Sequence, residues 1–229
     1  MKYSVFERVM SQQRMNRYVI SCSNDTRKAM TLYRLNLKLS QELFTMISCF
    51  EIALRNAIDY CYSEEYGEHW LRDSVEIGGV FNNKKCINTG RIINRALTKL
   101  NKSDNYTHSK LIAEMDFGFW RYLFSQPQFY SGGQILLRIF PAKPKSTTVI
   151  QYNNKYVFNE LEKINSLRNR IAHHEPVCFS SGDAIIDTIY AKQNYRLIKD
   201  MFSWMQIDEL SLLYGINHVN DVILRIDEL

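Results

Sequence analysis

From Thr26 to Tyr62 the apolar side chains return at steps of three and four residues. They run from Leu32, Leu35, Leu39 and Leu43 through Met46, Ile47 and Phe50 to Ile52, Ala53, Leu54, Ala57 and Ile58. That spacing paints one face of an α-helix and does not fit the two-residue period of a half-buried strand. It is the longest periodic run in the chain and is expected to be a core helix, bent or broken once at most. Breakers are scarce, with 9 glycines and 4 prolines in 229 residues, which favours long helices over a many-turned sandwich.

The remaining pattern extends the same reading. Residues 1–20 form a short basic helical segment, and Asn24-Asp25 stands where a cap for the long helix is needed. Helical runs are expected at Lys84–Leu100, Ser109–Phe124, 147–174 and Asp183–Trp204, with one or two short helices after Ile207. Gly67 and Gly78-Gly79 bracket a loop region. Pro127, Gly132-Gly133, Pro141 and Pro144 punctuate a connector in which Ile135–Phe140 reads as a short helix. No alternating strand, repeat or low-complexity tract appears. The expected fold is all-α, a single domain over 1–229 with an N-terminal segment at about 1–22 and a C-terminal tail at about 205–229.

Composition narrows the class of protein. Hydrophobic residues at 45% and charged residues at 23% are those of a globular chain with a core. A net charge of +5 is compatible with a polyanionic partner without demanding one. Cys22, Cys49, Cys61, Cys86 and Cys178 form no C-x-x-C pair and are odd in number. With an N-terminus too polar for a secretory signal, they read as reduced thiols in a cytoplasmic protein. No apolar run approaches the ~20 residues of a membrane span, so no membrane association is expected.

The densest chemistry lies at Leu167-Arg168-Asn169-Arg170-Ile171-Ala172-His173-His174-Glu175-Pro176, which holds two of the chain's five histidines. A guanidinium and an imidazole can together cleave a phosphodiester without a metal. On a helical wheel Leu161, Ile164, Leu167 and Ile171 form the apolar face, and Asn165, Asn169 and His173 a polar stripe beside it. Arg168 projects near the apolar stripe, so its guanidinium is expected to be partly buried, and His174 lies on the flank opposite Asn169. Arg168 and His173 stand about 140° apart on a straight helix. One straight helix therefore cannot aim both at a single small ligand. Either the helix distorts near Pro176, or another helix or a second protomer completes the site. The negative end of the helix dipole favours an imidazolium in this last turn. The plain alternative is a capped, polar helix end in which Glu175 and the histidines satisfy free carbonyls.

The 167–176 segment resembles the signature of the Abi-like (AbiD/AbiF) abortive-infection proteins of bacteria, a branch of the HEPN superfamily. Those nucleases share an Arg, usually followed by Asn, and a His four to six residues further on. Arg168, Asn169 and His173 match that pattern here, and a longer spacing would select His174 instead. Tyr33-Arg-Leu-Asn36, Glu51-Ile-Ala-Leu-Arg-Asn56, Tyr66-Gly67 with Trp70-Leu71, and Phe117-Gly-Phe-Trp120 resemble the family's other motifs in the same order. The resemblance implies a HEPN-type helical bundle with added peripheral helices, working as a homodimer with a composite site. It further implies a toxin in antiphage defence that cuts RNA by attack of the ribose 2′-hydroxyl, with Arg168 and His173 catalytic and Asn169 and His174 in support. No cofactor or metal is expected. A structured non-coding RNA or a protein antitoxin is the implied restraint, and a non-catalytic RNA- or protein-binding module is the competing reading.

Other features weigh less. Glu51 and Arg55 stand one helical turn apart, as a surface ion pair would; Glu51 is instead expected to pair with Arg168 and orient it. The basic run Lys84–Lys102 reads as a solvated face or as an RNA-backbone track, with Arg91, Arg95 and Lys99 the candidate contacts and Arg170 a fourth. Asp116-Phe117-Gly118 has a kinase ring to it, but no H-R-D loop or glycine-rich phosphate loop accompanies it. Its aromatic neighbours read as core or interface residues rather than base-stacking ones. His69 and His108 stand alone, and His218 with Asp221 is too little for a metal site.

Overall fold

The computed structural model describes residues 1–229. It is all-α, with no β-sheet and one isolated bridge between Phe179 and Ile186. The helices are α1 (Tyr3–Met10), α2 (Gln12–Ser21), α3 (Thr26–Tyr66), α4 (Trp70–Asp73), α5 (Ile87–Lys102), α6 (His108–Ala113), α7 (Phe117–Tyr122), α8 (Gln126–Ser131), α9 (Asn154–Ala172), α10 (Ile189–Trp204), α11 (Glu209–Leu212) and α12 (Val219–Asp227). Short 3-10 turns occupy Lys84–Cys86 and Ile135–Ile139. No helix is long and apolar enough to cross a membrane.

The long helix is unbroken over 41 residues. Asp25 starts it, its Oδ1 accepting from the N–H groups of Arg27 at 2.9 Å and Lys28 at 3.0 Å. Leu32, Leu35, Leu39, Leu43, Met46, Ile47, Phe50, Leu54 and Ile58 are buried, whereas Ile52, expected with them, is 47% exposed. Capping side chains break other runs that hydrophobic period alone joins. Asp116 accepts from the Phe119 N–H at 2.8 Å and begins α7, so Ser109–Phe124 is two helices rather than one. Asn153 accepts from the Tyr156 N–H at 3.0 Å, so α9 begins at Asn154 and not at 147. Asp187 accepts from the Ile189 N–H at 2.7 Å, and α10 begins there instead of at Asp183. The basic N-terminal segment is two helices parted at Ser11, whose φ is 74°. The loop region after Gly67 contains α4, which buries Trp70 and Leu71.

Packing divides the chain into two compact units. The first comprises residues 1–48, 166–200 and 208–229; the second comprises 49–165 and 201–207. Around Tyr33 the first unit gathers an aromatic core, with Phe6 at 5.5 Å and Tyr18 at 5.1 Å, and Tyr18 meets Phe179 at 4.9 Å, all edge to face. The guanidinium of Arg34 lies over Phe6 and that of Arg17 over Phe179. In the second unit Phe50 packs edge-on to Phe202 at 5.4 Å. Phe117, Phe119 and Trp120 are buried, which makes them core aromatics. Asp59 Oδ1 accepts from Trp70 Nε1 and contacts His108 Nε2, both at 2.7 Å, tying α3, α4 and α6 together. After α8, Gly132 sits where any β-carbon would collide with the Tyr62 hydroxyl.

Glu42 is the buried acid of the first unit. It pairs with Lys38 at 2.8 Å and accepts from the His218 N–H at 2.9 Å. Burial pushes its carboxyl up, but these hydrogen bonds outweigh burial and hold it below the ordinary carboxylate range. A carboxyl depressed in the folded state stabilises the fold above its unfolded value, and that contribution is lost as pH falls through the folded value. Glu42→Gln is therefore expected to cost about 1–2 kcal/mol at neutral pH in denaturant titrations. The gap to wild type should close below pH ~4; a gap that widens on acidification contradicts this account.

Candidate functional site

The 167–176 segment ends α9 in a specific way. The His173 N–H, one residue past the end of α9, still bonds the Asn169 carbonyl at 2.9 Å in the helical pattern. The next two N–H groups turn back, His174 to the Ile171 carbonyl and Glu175 to the Arg170 carbonyl, both at 2.9 Å. With His174 at φ 56°, this is a Schellman closure with histidine in the left-handed position that glycine usually takes. The carbonyls of Asn169, Arg170 and Ile171 are thus satisfied by backbone, and neither imidazole is consumed in capping. Both histidines are exposed.

Two other elements hold the segment that follows. Arg14 on α2 donates to the His174 carbonyl at 2.7 Å. Arg17, one turn on, donates to the Ser180 carbonyl at 2.7 Å and through Nε to the Asp183 carbonyl at 2.8 Å. Gly182 tips the turn between the paired Phe179 and Ile186, at φ 85°. From α3, buried Asn36 accepts from the Val177 N–H at 2.8 Å. Arg14, Arg17 and Asn36 are not singled out by residue type. Their only sequence signals are the basic character of the N-terminal segment and the Tyr33–Asn36 motif.

The expected site residues fall as follows. Leu161, Ile164 and Leu167 are buried, while Ile171 is half-buried. Arg168 is half-buried, and its Nη1 donates to the exposed neighbouring Asn169 Oδ1 at 3.4 Å. The other Leu-Arg-Asn triplet behaves alike, Arg55 reaching Asn56 at 3.4 Å. Arg170 stacks over the Tyr190 ring at 4.9 Å, with Glu175 at 3.9 Å from its Nε. Glu51 is half-buried in the second unit's share of α3 and is engaged in an interaction of its own. On α5, Arg91 and Arg95 are exposed, while Lys99 is joined to Glu114 at 2.8 Å. His69 and His108 do not stand alone in space; their rings lie 6.1 Å apart, with Asp59 on His108. His218 meets Asp221 at 3.8 Å on the surface. Cys178 is no nucleophile: burial pushes its thiol up to about 12.

These features define a helical protein that presents an Arg-Asn helix turn and two histidines at a firmly closed helix end. The family model described as Abi-like protein matches residues 2–178, from before α1 through the capped segment to Cys178, and the chain belongs to that family. No curated protein and no solved structure matches it.

Two stability measurements check the architecture of the site. His174→Gly removes a β-carbon from a left-handed position and should raise stability by about 1 kcal/mol in thermal unfolding. Asn36→Ala strips the buried Val177 N–H of its acceptor and should cost about 1–3 kcal/mol. A neutral outcome for Asn36→Ala would mean that the 177–179 segment is anchored elsewhere.

Proposed function

We propose that the protein is a HEPN-type endoribonuclease of the AbiD/AbiF kind, acting as a toxin in bacterial abortive infection. The observation that carries this reading is the geometry of the Arg168-Asn169…His173 end of α9. Backbone groups close the helix, leaving both imidazoles exposed to a substrate, and the helical hydrogen-bond pattern runs on to the His173 N–H, one residue past the end of α9. Arg168 and His173 therefore keep their wide angular separation. A second copy of the chain, supplying its own helix end across a homodimer interface, completes the constellation.

In this mechanism His173 takes the proton from a ribose 2′-hydroxyl, whose oxygen attacks the adjacent phosphorus. The P–O5′ bond breaks, and the second protomer's histidine or a water protonates the leaving 5′-oxygen. One product ends in a 2′,3′-cyclic phosphate. Arg168 offsets the negative charge growing on the phosphate, and Asn169 beside it steadies the guanidinium. His174 supports the site from the left-handed turn. No metal takes part. Single-stranded RNA is the substrate, because the 2′-hydroxyl must reach an in-line position. A toxin of this kind needs restraint in the healthy cytoplasm, by a structured RNA or a protein antitoxin.

A second reading, an RNA- or protein-binding module without catalysis, is supported by the way Arg170, Tyr190 and Glu175 interlock, since that packing serves the fold without any chemistry. Purified protein assayed on RNA with EDTA present separates the two. Wild type should cleave, and His173→Ala should lose at least about a hundredfold in rate. RNA binding without cleavage in both proteins selects the module.

A further inference from the structure

Away from the helix end, the second unit carries a surface in which three clefts adjoin. One, of about 440 Å³, lies between the start of α9 and the start of α8. A second, of about 630 Å³, shares Gln126 and Tyr130 with it and reaches Lys85 and Ser131. The third, of about 390 Å³, runs along the start of α5 past Lys84 and Arg91. Asn83, which lines the third, donates to Ser131 of the second at 3.3 Å, so these two also meet.

Charge and chemistry along this surface are consistent throughout. No aspartate or glutamate lines any of the three clefts, in a chain with 24 of them. Lys155, Lys85, Lys84 and Arg91 mark its course from end to end. Tyr130, 57% exposed, stands where the first two clefts meet. The first cleft is rich in amides, with Gln126, Asn153, Asn154 and Asn159. Asn153 spends its oxygen on the α9 cap and Asn154 its nitrogen on the Phe124 carbonyl, which leaves a donor on one and an acceptor on the other facing the same cleft. Phe158 forms part of the wall and is braced by buried Arg121 at 4.6 Å and by the edge of Tyr122 at 5.7 Å. The wall is therefore a fixed aromatic surface.

We propose that these clefts form one groove that holds single-stranded RNA outside the cleavage site. The four cations follow the phosphates, Tyr130 stacks a base, and the amides read exposed base edges, for which paired donors and acceptors are suited. An acidic protein segment would use the cations but has no need of a stacking ring beside an amide-lined cleft. The groove extends the ribonuclease reading without depending on catalysis. Of the expected Lys84–Lys102 track, Lys84, Lys85 and Arg91 line this groove, while Lys99 is joined to Glu114.

The test is fluorescence anisotropy of a labelled, unpaired, mixed-sequence RNA of about twelve nucleotides. It uses the full chain with the His173→Ala substitution and EDTA present, so that binding is read without cleavage. The triple variant Lys84→Ala/Lys85→Ala/Lys155→Ala should reduce the slope of log affinity against log salt by about 2. Tyr130→Ala should weaken binding roughly tenfold with the slope unchanged. Tyr130→Leu, which keeps the bulk, should do the same. All four positions are exposed, and matching thermal unfolding curves confirm that the variants fold. Unchanged binding in both the triple and the Tyr130 variants overturns the groove. So does loss in the triple variant alone when polyglutamate displaces the RNA equally well, which would assign the surface to an acidic protein. RNA bound in the groove by a protein whose wild type does not cleave would sink the nuclease reading and leave the groove standing; cleavage unaffected by the groove variants would do the reverse.

Discussion

The hydrogen bond from the Val177 N–H to the Asn36 side chain joins positions 141 residues apart, and the candidate site depends on it. Proline at 176 has no N–H, so Val177 presents the first backbone donor after the closed end of α9. Burying that donor without an acceptor would cost about 1–3 kcal/mol. Asn36 supplies the acceptor from the long helix, and the same helix carries Tyr33, on which the aromatic core of the first unit converges. One turn of α3 thus anchors both the outgoing chain from the histidines and the packing beneath it. The motif at Tyr33–Asn36 is explained by this double duty.

The two histidines are exposed for a reason rooted in the backbone. A helix end leaves four carbonyls in need of donors, and side chains often supply them. Here the N–H groups of His174 and Glu175 serve two of them, those of Ile171 and Arg170, at the expense of a left-handed histidine. Non-glycine residues held in that region concentrate where function needs a fixed geometry. Arg170, by contrast, is drawn toward Tyr190 and Glu175, so the two arginines of the segment have parted roles: one stays beside Asn169, the other braces the start of α10.

Much of the fold is legible in the order of the amino acids alone. The period of three and four residues marks out α3 almost to its ends, and the all-α class follows from it and from the scarcity of glycine and proline. Sequence and structure part where a short polar side chain outcompetes hydrophobic period. Asp116, Asn153 and Asp187 each start a helix partway along a run that reads as continuous, because their oxygens capture N–H groups locally. At the site, Arg168, Asn169 and the histidines are readable as chemistry and from family likeness. The support from Arg14 and Arg17 is not, since those contacts span more than 160 residues or close to it and bind carbonyls, which every residue possesses. The pairing of His108 with Asp59 is hidden likewise by distance along the chain.

The clamp from α2 has a consequence for the order in which the protein is made. Arg14 and Arg17 are synthesised well before their acceptors at His174, Ser180 and Asp183, which lie 160 or more residues further along the chain. Until then α2 has no docking partner there, and the turn carrying the histidines is not held. Domains fold as units during synthesis, and contacts of high sequence separation form last. The turn that carries the histidines is therefore clamped only after some 160 intervening residues have been made, and its geometry is a late product of synthesis.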